Sequence, residues 1–230
     1  MLSAGTVIVK MEYPEELKFK HPFTGICSGP TGSGKTVLMR RIISSIHTLM
    51  SPPPQKIVWY YAEHQPDLER ELGHMVEFRE GCPEMTEFDG TYPTLVIIDD
   101  LMSECSSEIT KLFTKGSHHR NISVWFLMQN FFHQNKEIRT ITLNAHYVIL
   151  FKNPRDSQQI RFLARQMYGR DAEAMEQAYR HATENPHGYL LIDLKQATPD
   201  KLRLRSNILP GELLEVYVSK NAFKGQFIII

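Results

Sequence analysis

Three features of the sequence predict an α/β fold with a mostly parallel sheet and helices on both faces, a three-layer arrangement. Strand-like and helix-like segments alternate along most of the chain. The runs Thr94 to Ile98 and Ile122 to Met128 are apolar without two-residue alternation, which suits strands covered on both sides. A Gly-rich turn at 29–36 lies between an apolar segment and a helix-like one.

The elements follow in order. Phe23 to Ser28 reads as a strand, Lys35 to about Met50 as a helix, and Ile57 to Tyr61 as a strand. A short helix is expected near Pro66 to Leu72, opened by its proline, and the Gly/Pro-rich stretch from Gly81 to Pro93 reads as a loop. The strand Thr94 to Ile98 precedes a helix near Ser106 to Thr114. Strands at Ile122 to Met128 and His146 to Phe151 continue the series. Ile160, Leu163, Ala164 and Met167 recur at i, i+3, i+4 and i+7, so a helix follows Asp156 and Gly169 stops it. A helix over Asp171 to Thr183 and strands at Tyr189 to Leu194 and Leu202 to Ile208 complete the pattern. The apolar run from Gln226 to Ile230 reads as an edge strand or as a docking segment.

Composition narrows the classes. With 230 residues and 42% hydrophobic content the chain is long enough for one well-filled core. The 26 Lys+Arg balance the 26 Asp+Glu, so any polyanion must be held by a local patch and not by bulk charge. No apolar run reaches the roughly 18 residues of a membrane span, and Met1 to Lys10 lacks a signal-peptide pattern. The expectation is a soluble intracellular protein without a membrane partner. Cys27, Cys82 and Cys105 are odd in number and lack CxxC spacing, so buried thiols are expected.

Gly29-Pro30-Thr31-Gly32-Ser33-Gly34-Lys35-Thr36 satisfies GxxxxGK[ST] between a strand and a helix, the pattern of a phosphate-binding P-loop. Its glycines let backbone N–H groups curl round phosphate oxygens, and the helix N-terminus presents further free N–H groups to the same anion. Lys35 is expected to reach the β- and γ-phosphates of ATP, with Thr36 ligating Mg²⁺. A second metal ligand is expected from Asp99, at the end of an apolar strand. Its neighbour Asp100 is the candidate to polarise the attacking water, with Glu104 as the next choice. Gln129, at the tip of the strand ending in Met128, is the candidate γ-phosphate sensor.

Absences also discriminate. Asn135-Lys136 is followed by Glu137-Ile138, so the guanine-reading NKxD is missing, and no LSGGQ-like segment occurs. The chain is too short for the paired motor domains of most translocating helicases. A single-domain motor working as a ring survives. Arg120 is the candidate to complete a neighbouring subunit's site, with Arg139 and Arg155 as rivals. His118 and His119 are adjacent, not i, i+4, and read as loop residues. DNA contact would fall to Lys111, Lys115 and Arg120, or to Arg161 and Arg165, while Trp59, Tyr60 and Tyr61 read as core.

Several patches together resemble a family: His21-Pro22-Phe23, the P-loop, Ile97-Ile98-Asp99-Asp100, 113–120, Phe126 to Asn130, Asn144-Ala145-His146, 152–156, Gly188 to Lys195 and Thr198-Pro199-Asp200. They are similar to FtsK/HerA-type DNA-packaging ATPases, and within them to the branch of Polinton/Maverick and adintovirus-like elements, related to poxvirus A32-like packaging ATPases. The likeness runs from about His21 to Pro210. It implies an N-terminal extension (1–20), a P-loop ATPase domain (21–210) and a tail (211–230). It also implies an additional-strand, catalytic-acid P-loop NTPase fold, a homo-oligomeric ring, and translocation of double-stranded DNA into a viral or virus-like capsid. Capsid protein would then be a partner, and the host nucleus or cytoplasm, or the virion, the location. Two other readings stay open: an ATP-binding switch or assembly module with little turnover, and a non-viral DNA pump.

Overall fold

The structure, a computed structural model, describes residues 6–116, 120–131, 136–155, 158–169 and 172–219, with only the backbone described at 102–104 and 158–159. His118, His119, Asp156 and the 226–230 run therefore lie outside the described residues, as does the side chain of Glu104.

Ten strands form one sheet. Its parallel part contains, side by side, β9 (Tyr147–Phe151), β3 (Thr24–Ser28), β8 (Ile122–Met128), β7 (Thr94–Asp99), β5 (Lys56–Tyr61) and β6 (Glu77–Glu80). Beyond β9 the sheet continues antiparallel through β10 (Tyr189–Asp193), β11 (Leu204–Ser206), β12 (Leu214–Ser219) and β1 (Thr6–Met11). The remaining two, β2 (Phe19–Lys20) and β4 (Met50–Ser51), pair with each other apart from it. One strand, β8, stands between β3 and β7. This is the additional strand expected between the P-loop strand and the strand carrying the acids.

The apolar runs without alternation are explained by burial on both faces. Along β8, Trp125 and Leu127 enter one core with Phe23, Met39, Ile42 and Trp59, while Val124, Phe126 and Met128 enter the other with Ile26, Val96 and Ile109. The first core is covered by helix Lys35–Ser44, the second by helices that include Met102–Lys111 and Ala172–Ala182. Trp59 and Tyr60 are buried in these cores, as expected. Trp125 packs edge-on against Phe19 and Phe23, with ring centroids 5.4 Å away in each case. Its ring occupies the place of a side chain at Gly25, where a Cβ would come within 2.5 Å of the indole.

Some expectations are corrected. The helix from Lys35 stops at Ser44, because Ser45 takes a non-helical φ of −115° before a short turn at Ile46–Leu49, and Met50 has already become a strand. Strand β6 and helix Lys136–Leu143 are additional elements, and segments 1–20 and 211–230 supply β1 and β12 at the antiparallel edge. Cys82 and Cys105 are not thiols but a disulfide, with Cα atoms 5.6 Å apart. Their separation of 23 residues carries no local signature; the 81–93 loop brings Cys82 to the helix that follows β7. Cys27 is the free cysteine and is buried.

Two polar clusters tie the sheet together. Arg205, fully buried, donates from Nη2 to Asp193 Oδ2 at 2.6 Å and from Nη1 to the Leu17 carbonyl at 3.0 Å. At the foot of β3 and β8, His21 Nε2 lies 2.8 Å from Asn121 Oδ1 and Nδ1 2.6 Å from Ser123 Oγ. Since Asn Oδ1 only accepts, Nε2 carries the hydrogen, and a neutral ring lets Nδ1 accept from the serine. Burial accordingly pushes the His21 pKa below its usual value.

Asp193→Ala should strand a buried guanidinium and cost about 3–5 kcal/mol, measured from urea denaturation midpoints. Because the folded protein favours neutral His21, the unfolded chain binds the extra proton more readily. Stability should fall as pH drops through the ordinary histidine range near ~6.5 and onward to the lower folded value. His21→Gln should flatten that acid slope in denaturation curves taken from pH 7.5 to 5.

Candidate functional site

The C-terminal ends of β3, β8, β7 and β5 reach the same sheet edge, with Ser28 opposite Met128, Leu127 opposite Asp99, and Asp99 opposite Tyr61. Two backbone bonds extend this ladder past the strands. The Gly29 N–H donates to the Met128 carbonyl at 3.2 Å, and the Asp100 N–H to the Leu127 carbonyl at 3.1 Å. The P-loop, the paired acids and the β8 tip are thus held in mutual register by sheet pairing.

The loop after β3 turns through Gly32 (φ 77°) and Gly34 (φ 108°), the latter sitting directly before helix Lys35–Ser44. Both need the left-handed region, which glycine occupies without a Cβ clash. Close packing adds to the demand at Gly29, where a Cβ would lie 2.6 Å from Ser33 Oγ and 2.7 Å from Phe151 Cβ. The helix has no acidic residue in its first turn to compete with an anion. Lys35 folds back over the loop, its Nζ donating to the Gly29 carbonyl at 2.7 Å and the Pro30 carbonyl at 3.2 Å. Ser33 Oγ is buried without a bonding partner. A curled backbone, an ammonium at its mouth and an orphaned hydroxyl fit a polyphosphate.

The two acids differ in environment. Asp99 is 8% exposed; burial raises its pKa and the Asp100 carboxylate adds to this, while Gln65 and Lys35 pull it down. Gln65 Nε2 donates to Asp99 Oδ2 at 3.2 Å. The Trp59 indole N–H, outside hydrogen-bond geometry, also favours the anion. Asp100 is exposed with φ 55°, and Gln129 Nε2 donates to its Oδ2 at 2.6 Å. Gln129 and Asp100, chosen separately from the sequence, are therefore one hydrogen-bonded pair. A buried carboxylate beside Lys35 with Thr36 in the first helical turn suits a hard divalent cation carrying phosphate oxygens.

Arg120 is elsewhere. It precedes β8, at the sheet edge opposite the P-loop, and its Nη1 donates to the Phe88 carbonyl at 3.0 Å. Of its rivals, Arg155 is exposed in the turn after β9, on the P-loop edge. Among the other basic candidates Lys111 pairs with Glu108 at 2.6 Å and Arg161 with Glu176 at 3.2 Å, whereas Lys115 and Arg165 are exposed.

Two residues escaped the sequence reading. Gln65 had a usable signal, a polar group just beyond a strand whose last residue lies opposite Asp99. His187 had none: it reaches across 154 positions to the P-loop, where Nδ1 lies 3.1 Å from the Ser33 carbonyl and so carries the hydrogen. A cavity of about 400 Å³ opens next to the loop between Thr36, Arg40, Gln65 and Glu71.

The chain matches no protein-family model and no curated protein. Among solved structures it is similar to the genome packaging NTPase B204 from Sulfolobus turreted icosahedral virus 2. In the ATP-gammaS complex the TM-score is 0.50 at 12% identity, covering 77% of this chain and 95% of B204. In the AMPPCP complex the TM-score is 0.51 with the same identity and coverage. The flagellar accessory protein FlaH from Methanocaldococcus jannaschii is matched at a TM-score of 0.42 and 12% identity, over 60% of this chain and 76% of FlaH. The chain has the α/β fold of P-loop NTPases, with a mostly parallel sheet and flanking helices.

Gly34→Ala tests the loop geometry independently of any ligand. Its Cβ would meet His187 Nδ1 at 3.2 Å in a backbone conformation alanine resists. The variant should lose about 1–3 kcal/mol in urea denaturation.

Proposed function

We propose that the chain is an Mg-ATP-dependent motor ATPase that works as a homo-oligomeric ring and drives double-stranded DNA into a viral or virus-like capsid. The observation that carries the enzymatic part is the convergence on one sheet edge of the P-loop, buried Asp99, and exposed Asp100 bonded to Gln129. The loop N–H groups and Lys35 bind the triphosphate. Thr36 and Asp99 are the residues that would hold Mg²⁺, whose charge would offset that of the phosphate oxygens. Asp100 orients the attacking water and takes its proton, and Gln129 fixes the carboxylate that does so.

Support for packaging, as against another motor task, comes from the B204 fold likeness over 95% of that chain and from the ordered patches between His21 and Pro210. Those patches favour the FtsK/HerA type and, within it, the Polinton/Maverick or adintovirus-like branch. For the arginine that a neighbour would supply, exposure on the P-loop edge favours Arg155 over Arg120, whose guanidinium is bonded to Phe88. Exposed Lys115 and Arg165 are the first candidates for DNA phosphate contact.

The test is steady-state ATP hydrolysis with and without double-stranded DNA, paired with calorimetric nucleotide binding. The unmutated protein should be stimulated by DNA. Asp100→Asn should keep Mg-ATP affinity and lose about 10²–10⁴ in turnover, the range of positioned acid–base groups. Tight binding with turnover indifferent to DNA would replace the motor by the switch reading.

A further inference from the structure

An apolar groove of about 860 Å³ lies on the sheet face opposite helix Lys35–Ser44, between helix Lys136–Leu143 and helix Gln158–Tyr168. Leu143, Val148, Phe162, Met167, Ile192 and Leu194 line much of it. Leu143 is 64% exposed and Phe162 67%, high values for large apolar side chains lining one groove, and nothing among the described residues covers them. We propose that the groove is the docking site of this chain's own segment 220–230.

The argument begins with where the described chain leaves the sheet. Strand β10 runs antiparallel to β9, β11 to β10, and β12 to β11. Strands β10 and β12 therefore point the same way, and Ser219 comes out at the edge opposite the P-loop. Leu194, one residue past β10, and Met167 and Leu143, near the ends of their helices, mark the mouth of the groove at that same edge. Two sheet spacings separate β12 from β10, about 10 Å. Eleven residues span up to about 36–40 Å when extended, enough to clear the intervening helices and enter.

Chemistry selects this occupant. Segment 220–230 contains Phe223 and then Phe227-Ile228-Ile229-Ile230, the longest unbroken apolar run outside the described residues. Left in water it would expose several large side chains, each of which gains on burial. Attachment through Ser219 also gives the segment an effective concentration in the millimolar range, which an external apolar peptide would have to exceed. Phe131, two residues beyond Gln129, lines the inner groove, so a docked segment would press on the connection leaving the Asp100–Gln129 pair.

The experiment uses the full chain with the photo-crosslinker p-benzoylphenylalanine in place of Phe227, irradiated as an equal mixture of isotopically light and heavy protein. The expected products join position 227 to peptides from 136–143 or 158–168 of the same isotope, at monomer mass. In parallel, Ile228→Asp combined with Ile229→Asp should speed amide exchange of Ile138 to Leu143 by roughly tenfold in the otherwise native protein. Mixed-isotope products would assign the groove to a second copy's segment and overturn the proposal. Crosslinks outside the two helices, no crosslink at all, or unchanged exchange would overturn it as well.

Discussion

The pairing of β3 with β8 is the constraint on which the site depends. Both strands are buried on both faces, so a slip of one residue would turn Trp125 and Phe126 into each other's cores. The register also fixes chemistry. With Ser28 locked opposite Met128, the first P-loop amide bonds to β8, and the residue directly after β8 is Gln129. Through β7 the same ladder sets Asp99 and Asp100. Phosphate cradle, metal-ligating candidate and water-orienting candidate thus inherit their spacing from core packing, and no loop contact has to define it.

Burial then separates the environments of two adjacent carboxylates. Asp99 is the last residue of a covered strand, where desolvation disfavours its charge unless cations or donors compensate; Gln65 and Lys35 do so in part. A bound cation would complete the compensation. Asp100 leaves the strand with a left-handed backbone that turns its carboxylate into solvent and onto Gln129. One peptide unit separates the two environments, and the change of φ at Asp100 produces the difference.

What could be read from the sequence follows from how local each cause is. Strands β7 and β8 were visible because double-sided burial leaves an uninterrupted apolar run, and the P-loop because the left-handed turns at Gly32 and Gly34 are local demands. The edge strand β6, Glu-Phe-Arg-Glu, was not: it is polar and partly exposed, with Arg79 bonded to Glu77 and Glu87, so no apolar pattern records it. Strands β1 and β12 find each other across the length of the chain, and neither predicts the other. The Cys82–Cys105 disulfide and the Asp100–Gln129 bond are likewise products of the fold. Each residue of the latter pair had a local reason to be suspected, but their contact needed β8 beside β7. The position of Arg120 illustrates the opposite case: proximity to β8 in sequence put it at that strand's far end, because a residue before a parallel strand lies a full strand length from the P-loop edge.

The antiparallel half of the sheet is more than an edge guard. Its link to the site is His187, in the connection between helix Ala172–Ala182 and β10, with φ 61° and a ring bonded to the Ser33 carbonyl. That carbonyl belongs to the residue whose hydroxyl is buried without a partner, and the ring is also what a Cβ at Gly34 would strike. The antiparallel strands are joined to the parallel half by the pairing of β10 with β9, and Arg205 on β11 ties Asp193 on β10 to the Leu17 carbonyl. The P-loop backbone is thus bonded through His187 to the connection that leads into β10. The P-loop therefore borders both halves of the sheet: the Gly29 amide is bonded to β8 on the parallel side, and the Ser33 carbonyl to the connection into β10 on the antiparallel side.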